Sequence, residues 1–212
     1  MINENAKRNQ YIKIALISIA IVALGLLVWK LDWAILEFFY NHVRNDILDP
    51  IVVFYTNLGD GGIIWIVVGL IMLIFPKYRK CGIMVLSALL VMLVLNNFIL
   101  KNLIARDRPC WIRPEMLELV ESPSSYSFPS GHTVSAMAVA FTILTQHKKL
   151  GITALVMAFL MGLSRLYVCV HFPTDVYGGI IFGAIIALIV WTAEKKLSPI
   201  IIEKLEKIAK KS

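Results

Sequence analysis

Three cations, two histidines and an aspartate stand at spacings that suit one phosphoryl group. Lys101 is followed by Arg108-Pro109, Pro129-Ser130-Gly131-His132 opens an apolar run, and Ser164-Arg165 precedes His171 and Asp175. Arginine is built for bidentate contact with phosphate oxygens. Ser130 occupies an expected helix N-cap. The free N–H groups beyond it form an anion site that Gly131 lets the ligand approach closely. A neutral imidazole can attack phosphorus while a carboxylate fixes its tautomer. A second imidazole can protonate the leaving oxygen. Three cations already balance the equatorial oxygens, so this chemistry asks for no metal and no cofactor. Taken singly, the pieces have plainer readings. Lys101 suits an interfacial lysine, Pro129–Gly131 an ordinary turn and cap, and His171 a hydrogen-bonded interfacial histidine.

These residues must be placed by membrane helices. The chain has 212 residues, of which 58% are apolar and 17% charged. Soluble domains run at roughly 45–50% and 25%. Mean hydropathy is +0.76, which excludes a disordered chain and argues against a soluble enzyme. Runs of roughly 20 mostly apolar residues mark spans. Six are expected, at about 12–29, 62–76, 81–100, 131–146, 150–168 and 176–193, the second and fourth being short. The first is read as an uncleaved span, because no small-residue cleavage site follows it. Residues 33–58 read as an amphipathic surface segment or as a long loop with one helix. The tail after Ser198 reads as an amphipathic surface helix, with Ile201, Ile202, Leu205 and Ile208 on its apolar face. With no long linker, residues 1–212 form a single expected domain, all-α and integral to the membrane.

The net charge of +7 would suggest nucleic acid in a soluble protein. Sorted by loop it gives topology instead. Fourteen Lys and Arg fall on the side of the termini and seven on the other, so both termini are expected in the cytoplasm, with 101–130 and 165–175 facing outward. Small residues at four-residue spacing (His132, Ala136, Ala140; Ala154, Ala158, Gly162; Gly179, Gly183, Ala187) predict close packing of the last three spans. The site residues sit at span ends, whereas transporter sites lie near the midplane.

The three blocks in this order, Lys101–Pro109, Pro129–His132 and Ser164–Asp175, resemble the tripartite signature of the type-2 phosphatidic acid phosphatase superfamily, which includes the vanadium haloperoxidases. The spans point to its membrane lipid-phosphatase branch. The resemblance implies a haloperoxidase-like helical core and hydrolysis of a lipid phosphate or diphosphate through a phosphohistidine. His171 would be the nucleophile, Asp175 its orienting carboxylate, and His132 the general acid and then base. Lys101, Arg108, Ser130, Gly131 and Arg165 would hold the phosphoryl oxygens. The expected partners are the lipid substrate and membrane lipids. An outward site suits an undecaprenyl diphosphate phosphatase. Phosphatidylglycerophosphate and phosphatidate phosphatases, and a phosphotransferase that replaces water by another acceptor, share the signature.

Further residues carry weaker expectations. Arg106 would reach a second phosphate of a diphosphate, or is a solvated loop charge. Asn96 and Asn97 orient Lys101 or bond another span. Cys110 and Cys169 lie near enough in the blocks for a disulfide to be considered, and Cys81 reads as a packed thiol. The stretch Trp111–Tyr126 is long for a connection and suits a substrate-selecting rim. His42 and His147 have no role.

Overall fold

Left-handed turns and prolines divide the apolar runs into helices whose ends meet on one side of the molecule. The computed structural model describes residues 4–209, with side chains described for residues 7–199. All regular elements among them are helical. The α-helices among them, in order, are α1 (Glu4–Lys30), α2 (Asp32–Phe38), α3 (Leu48–Asn57), α4 (Ile63–Ile74), α5 (Arg79–Met92), α6 (Lys101–Ile104), α7 (Pro109–Ile112), α8 (Gly131–Gln146), α9 (Lys148–Tyr167) and α10 (Pro173–Ala209). A π-helical stretch, Leu93–Leu100, joins α5 to α6 without a break. Such widened turns often sit at functional sites. Ala105 ends this continuous helix in the left-handed region at φ 47°. Arg108 before Pro109 is then extended, as a residue before proline prefers to be.

Helix α8 is the centre of the bundle. Val134 through Ala140 are all buried, and small side chains bring its neighbours in close. A Cβ on Gly179 would lie 2.7 Å from Thr133 Cβ, and one on Gly183 would lie 2.6 Å from Met137 Cβ. Helices α9 and α10 also meet closely, since a Cβ on Gly162 of α9 would lie 2.8 Å from Val176 of α10. The expected small-residue seams therefore do form the core, by letting backbones approach. Chain direction then fixes the site. The continuous α5–α6 helix and α9 arrive with their C-termini, and α8 and α10 leave with their N-termini, at the same end.

Among the described residues, four helices are long and apolar enough to cross a membrane alone: Lys7–Lys30, Arg79–Ile112, Lys148–Tyr167 and Pro173–Pro199. A fifth is reached if the pair Leu48–Asn57 and Asp60–Ile74, bent by 50°, counts as one broken span. The expected count of six is thus not reproduced. Its fourth member, α8, has 16 residues, about 24 Å at 1.5 Å per residue, short of a hydrocarbon core of about 30 Å. Protein surrounds α8, so lipid thickness does not set its length.

The segment expected to lie at the surface folds as α2 and α3, whose inner faces join the core. Leu36 is fully buried, and Trp33 meets Phe172 edge-on at 5.0 Å between ring centroids. The amphipathic tail contributes backbone to α10 as far as Ala209, and its side chains lie outside the described residues.

Candidate active site

The phosphate-suited cations are buried and come from three elements. Lys101 at the start of α6, Arg108 before α7 and Arg165 in the last turn of α9 are 6%, 2% and 5% exposed. Lys101 Nζ donates to Ser125 Oγ at 2.9 Å. Arg108 donates through Nε to Ser125 O at 2.6 Å and through Nη1 to Val170 O at 2.9 Å. Arg165 Nη1 donates to Thr56 Oγ1 of α3 at 2.6 Å, and its buried Nε has no partner. Among the described residues none of the three is ion-paired, whereas Arg44, Arg106 and Arg113 each meet a carboxylate. Unpaired buried charge is costly, so three such cations around one space call for an anion.

His171 lies in the turn between α9 and α10. Cys169, left-handed at φ 56°, turns the chain there, and α10 starts at Pro173, where a fixed φ suits the first helical position. His171 Nε2 faces Arg108 Nη1 at 3.1 Å, and Nδ1 faces Asp175 Oδ2 at 3.4 Å. Arg108 can only donate, so Nε2 carries the lone pair and Nδ1 the proton. Burial, then the charges of Arg108, Arg165 and Lys101, push the His171 imidazole well below its ordinary pKa. It is therefore neutral at physiological pH, with its lone pair on Nε2.

Asp175 is held on every side. Its Oδ2 accepts the Phe172 N–H at 2.8 Å, the reach of a third helical residue back to its own cap. Ser127 Oγ donates to the same oxygen and stands 3.3 Å from His171 Nδ1. Oδ1 accepts from Arg106 Nη1 at 2.7 Å. The second arm of Arg106 pairs with Asp32 Oδ2 at 2.7 Å, and its guanidinium lies over the Phe172 ring at 4.1 Å. Asp32 also accepts the Thr174 N–H at 2.9 Å. Arg106 is therefore neither a solvated loop charge nor a free phosphate ligand. Two buried carboxylates already use it.

Ser130 caps α8 as expected. Its Oγ accepts from Thr133 N at 3.5 Å and Thr133 Oγ1 at 3.0 Å, which leaves its own hydroxyl proton to donate. Its N–H donates to Asp175 O at 3.1 Å, tying the N-termini of α8 and α10 together. Gly131 and His132 then line the cavity of about 630 Å³ that Lys101, Arg108, Arg165 and His171 also line. Ile66 of α4 and Leu86, Leu89 and Leu90 of α5 form an apolar wall of the same space.

All eight expected residues thus lie around one cavity or directly behind its wall. Ser125, Ser127, Asp32 and Thr56 escaped the sequence reading. The two serines fall in a hydroxyl-rich run just before Pro129, which is a usable local signal, whereas Asp32 and Thr56 lie far away in sequence. Asn96 donates to Asn97 Oδ1 at 2.9 Å, and neither contacts Lys101 by a hydrogen bond. Asn97 lines the cavity. Cys110 and Cys169 are buried free thiols, so the considered disulfide is absent. The stretch after Trp111 does wall the site, because Ser125 receives both Lys101 and Arg108.

Known proteins share both sequence and fold with this arrangement. The family model described as PAP2 superfamily matches residues 81–199. The bacitracin transport permease protein BcrC of Bacillus licheniformis is 34% identical over 70% of this chain and 73% of its own length. An undecaprenyl-diphosphatase of Sulfolobus acidocaldarius is 34% identical over 71% of each. Among solved structures, a transmembrane PAP2 type phosphatidylglycerolphosphate phosphatase from Bacillus subtilis superposes with a TM-score of 0.65 at 28% identity, covering 84% of this chain and 96% of that one. With the family model matched over more than half of this chain, and the bundle shared with a solved member, the chain belongs to the PAP2 superfamily.

Proposed function

We propose that this protein hydrolyses a lipid diphosphate, with undecaprenyl diphosphate as the favoured substrate, through a phosphohistidine on His171. The observation that carries the reading is the group of three buried, unpaired cations that line one cavity with His171. A phosphoryl group supplies the missing charge. Lys101, Arg108 and Arg165 hold its oxygens, with the Ser130 hydroxyl and the N-terminal N–H groups of α8. Nε2 attacks phosphorus while Asp175 accepts the Nδ1 proton in a hydrogen bond and stabilises the charge that develops on the ring. His132 protonates the leaving oxygen, then removes a proton from the water that releases phosphate. The cations perform the charge neutralisation for which other phosphatases use metal ions.

The apolar wall of Ile66, Leu86, Leu89 and Leu90 supports a lipid substrate, whose chain would lie along α4 and α5 while its head group enters the cavity. The diphosphate is favoured by the likeness to an undecaprenyl-diphosphatase. The structural likeness to a phosphatidylglycerolphosphate phosphatase supports a lipid monophosphate as the second reading. The excess of Lys and Arg at the opposite helix ends, including Arg79, Lys80, Lys148 and Lys149, supports cytoplasmic termini and an outward site. Residues 1–212 act as one domain in this reading.

Purified protein in detergent with chelator, offered a panel of lipid mono- and diphosphates, tests it. Undecaprenyl diphosphate is expected to give the highest kcat/KM, and vanadate to inhibit. Loss of all turnover in chelator, or preference for a monophosphate, would overturn the corresponding part.

A further inference from the structure

We infer that Asp60 is the positioning residue of His132, forming a second histidine–carboxylate pair that serves the proton-transfer half of the reaction. The inference rests on the phosphohistidine reading above. His132 Nε2 and Asp60 Oδ1 are 3.0 Å apart, although 72 residues separate them in sequence. The turn that carries Asp60 is shaped around the imidazole. A Cβ on Gly59 would lie 2.6 Å from His132 Cδ2 and 2.7 Å from Met161 Sδ, so only glycine lets the chain pass the ring there. Gly61 and Gly62 follow in the left-handed region, at φ 60° and 73°, where glycine is at ease. They fold the chain back so that α4 starts at Ile63.

The two pairs differ in access to water. The side chains of His171 and Asp175 are 2% and 0% exposed, whereas those of His132 and Asp60 are 16% and 60% exposed. This division matches their tasks. A nucleophile works best dry, while an acid–base group must release and regain a proton in every turnover. With Nε2–H given to Asp60, Nδ1 is the nitrogen left for substrate, and it has no hydrogen-bond partner among the described residues. In the first half-reaction Nδ1–H passes its proton to the leaving-group oxygen as the P–O bond breaks and the P–Nε2 bond to His171 forms. In the second, Nδ1 takes a proton from water as the water oxygen bonds phosphorus, the P–Nε2 bond breaks and phosphate departs. The Asp60 charge stabilises the imidazolium at both ends of this cycle.

A carboxylate that supports only the proton donor matters most when the leaving group is poor. The full-length enzyme in detergent is therefore compared with Asp60→Asn and Asp60→Glu on dodecyl phosphate, which expels an alkoxide, and on p-nitrophenyl phosphate, which expels a stable phenolate. Phosphoenzyme formation is followed in single turnovers. Asp60→Asn is expected to slow the reaction of dodecyl phosphate roughly 10- to 100-fold and that of p-nitrophenyl phosphate far less, with partial recovery in Asp60→Glu. Equal slowing of both probes, or of neither, would overturn the assignment. If the wild-type enzyme forms no His171-dependent phosphoenzyme with either probe, the function proposed above falls and this inference falls with it. If the wild type forms it and only the leaving-group contrast is missing, the inference alone fails.

Discussion

Arg108 Nη1 and His171 Nε2 lie 3.1 Å apart, so the cation that would hold a phosphoryl oxygen also occupies the lone pair that would attack phosphorus, until an incoming oxygen takes that donor. The same nitrogen donates to Val170 O at 2.9 Å, one residue before His171. Binding and nucleophile are thereby registered to each other through a single guanidinium. This relationship makes the protonation state of His171 a measurable consequence of its surroundings.

The depressed pKa of His171 has a definite sign. A base whose pKa is lowered stays neutral at pH values where a free imidazole, near about 6.5, begins to protonate. The acid limb of kcat/KM is therefore expected below that value. Histidine-labelled protein followed by NMR should show the His171 midpoint below it too, and Lys101→Met should move the midpoint upward by removing one of the cations. A midpoint at or above the free value would contradict this electrostatic account.

Ser127→Ala removes the hydroxyl that donates to Asp175 Oδ2 and touches the edge of His171. A hydrogen bond to a charged group contributes about 1.5–3 kcal/mol. We expect kcat to drop by about tenfold, the factor that about 1.4 kcal/mol carries, with KM little changed. A rise in KM at constant kcat would instead place Ser127 in substrate binding.

Arg106 joins Asp32 of α2 to Asp175 of α10. Arg106→Met removes the cation shared by two buried carboxylates, and breaking a buried pair costs about 3–5 kcal/mol. The variant should unfold at markedly lower denaturant in detergent, and Arg106→Lys should recover part of the loss. Unchanged unfolding combined with a selective loss of diphosphate affinity would return Arg106 to the role of phosphate ligand.

Gly183 lies against Met137 with no room for a methyl group. Gly183→Ala should overpack the α8–α10 seam and destabilise by about 1–3 kcal/mol, visible as a lowered thermal midpoint. A midpoint equal to or above that of the wild type would show that the seam can open at no cost.

Much of this was readable from the chain because the chemistry is local. His171 and Asp175 are four residues apart across a proline-started helix, and Ser130 to His132 is a cap followed by its first helical residues. The small-residue seams are likewise periodic within single helices. What escaped depends on long-range closure. Asp32 reaches Thr174 across 142 residues, Thr56 reaches Arg165 across 109, and Asp60 reaches His132 across 72. No local pattern announces such pairs. The count of six spans is not matched by helices long enough to cross alone, for a related reason. Helix α8 runs from the site end of the bundle to the opposite end, but its neighbours are protein rather than lipid, so its 16 residues fall short of a lipid-exposed span.

The most direct test of the account is capture of the phosphoenzyme. Wild-type protein mixed briefly with lipid diphosphate labelled in the terminal phosphate, then denatured, should carry label that is stable to base, labile to acid and located on His171 by peptide mapping. His132→Ala should still accept label, more slowly, and retain it longer, and His171→Ala should carry none. Turnover by His171→Ala, or label that maps to any other residue, would contradict the central claim.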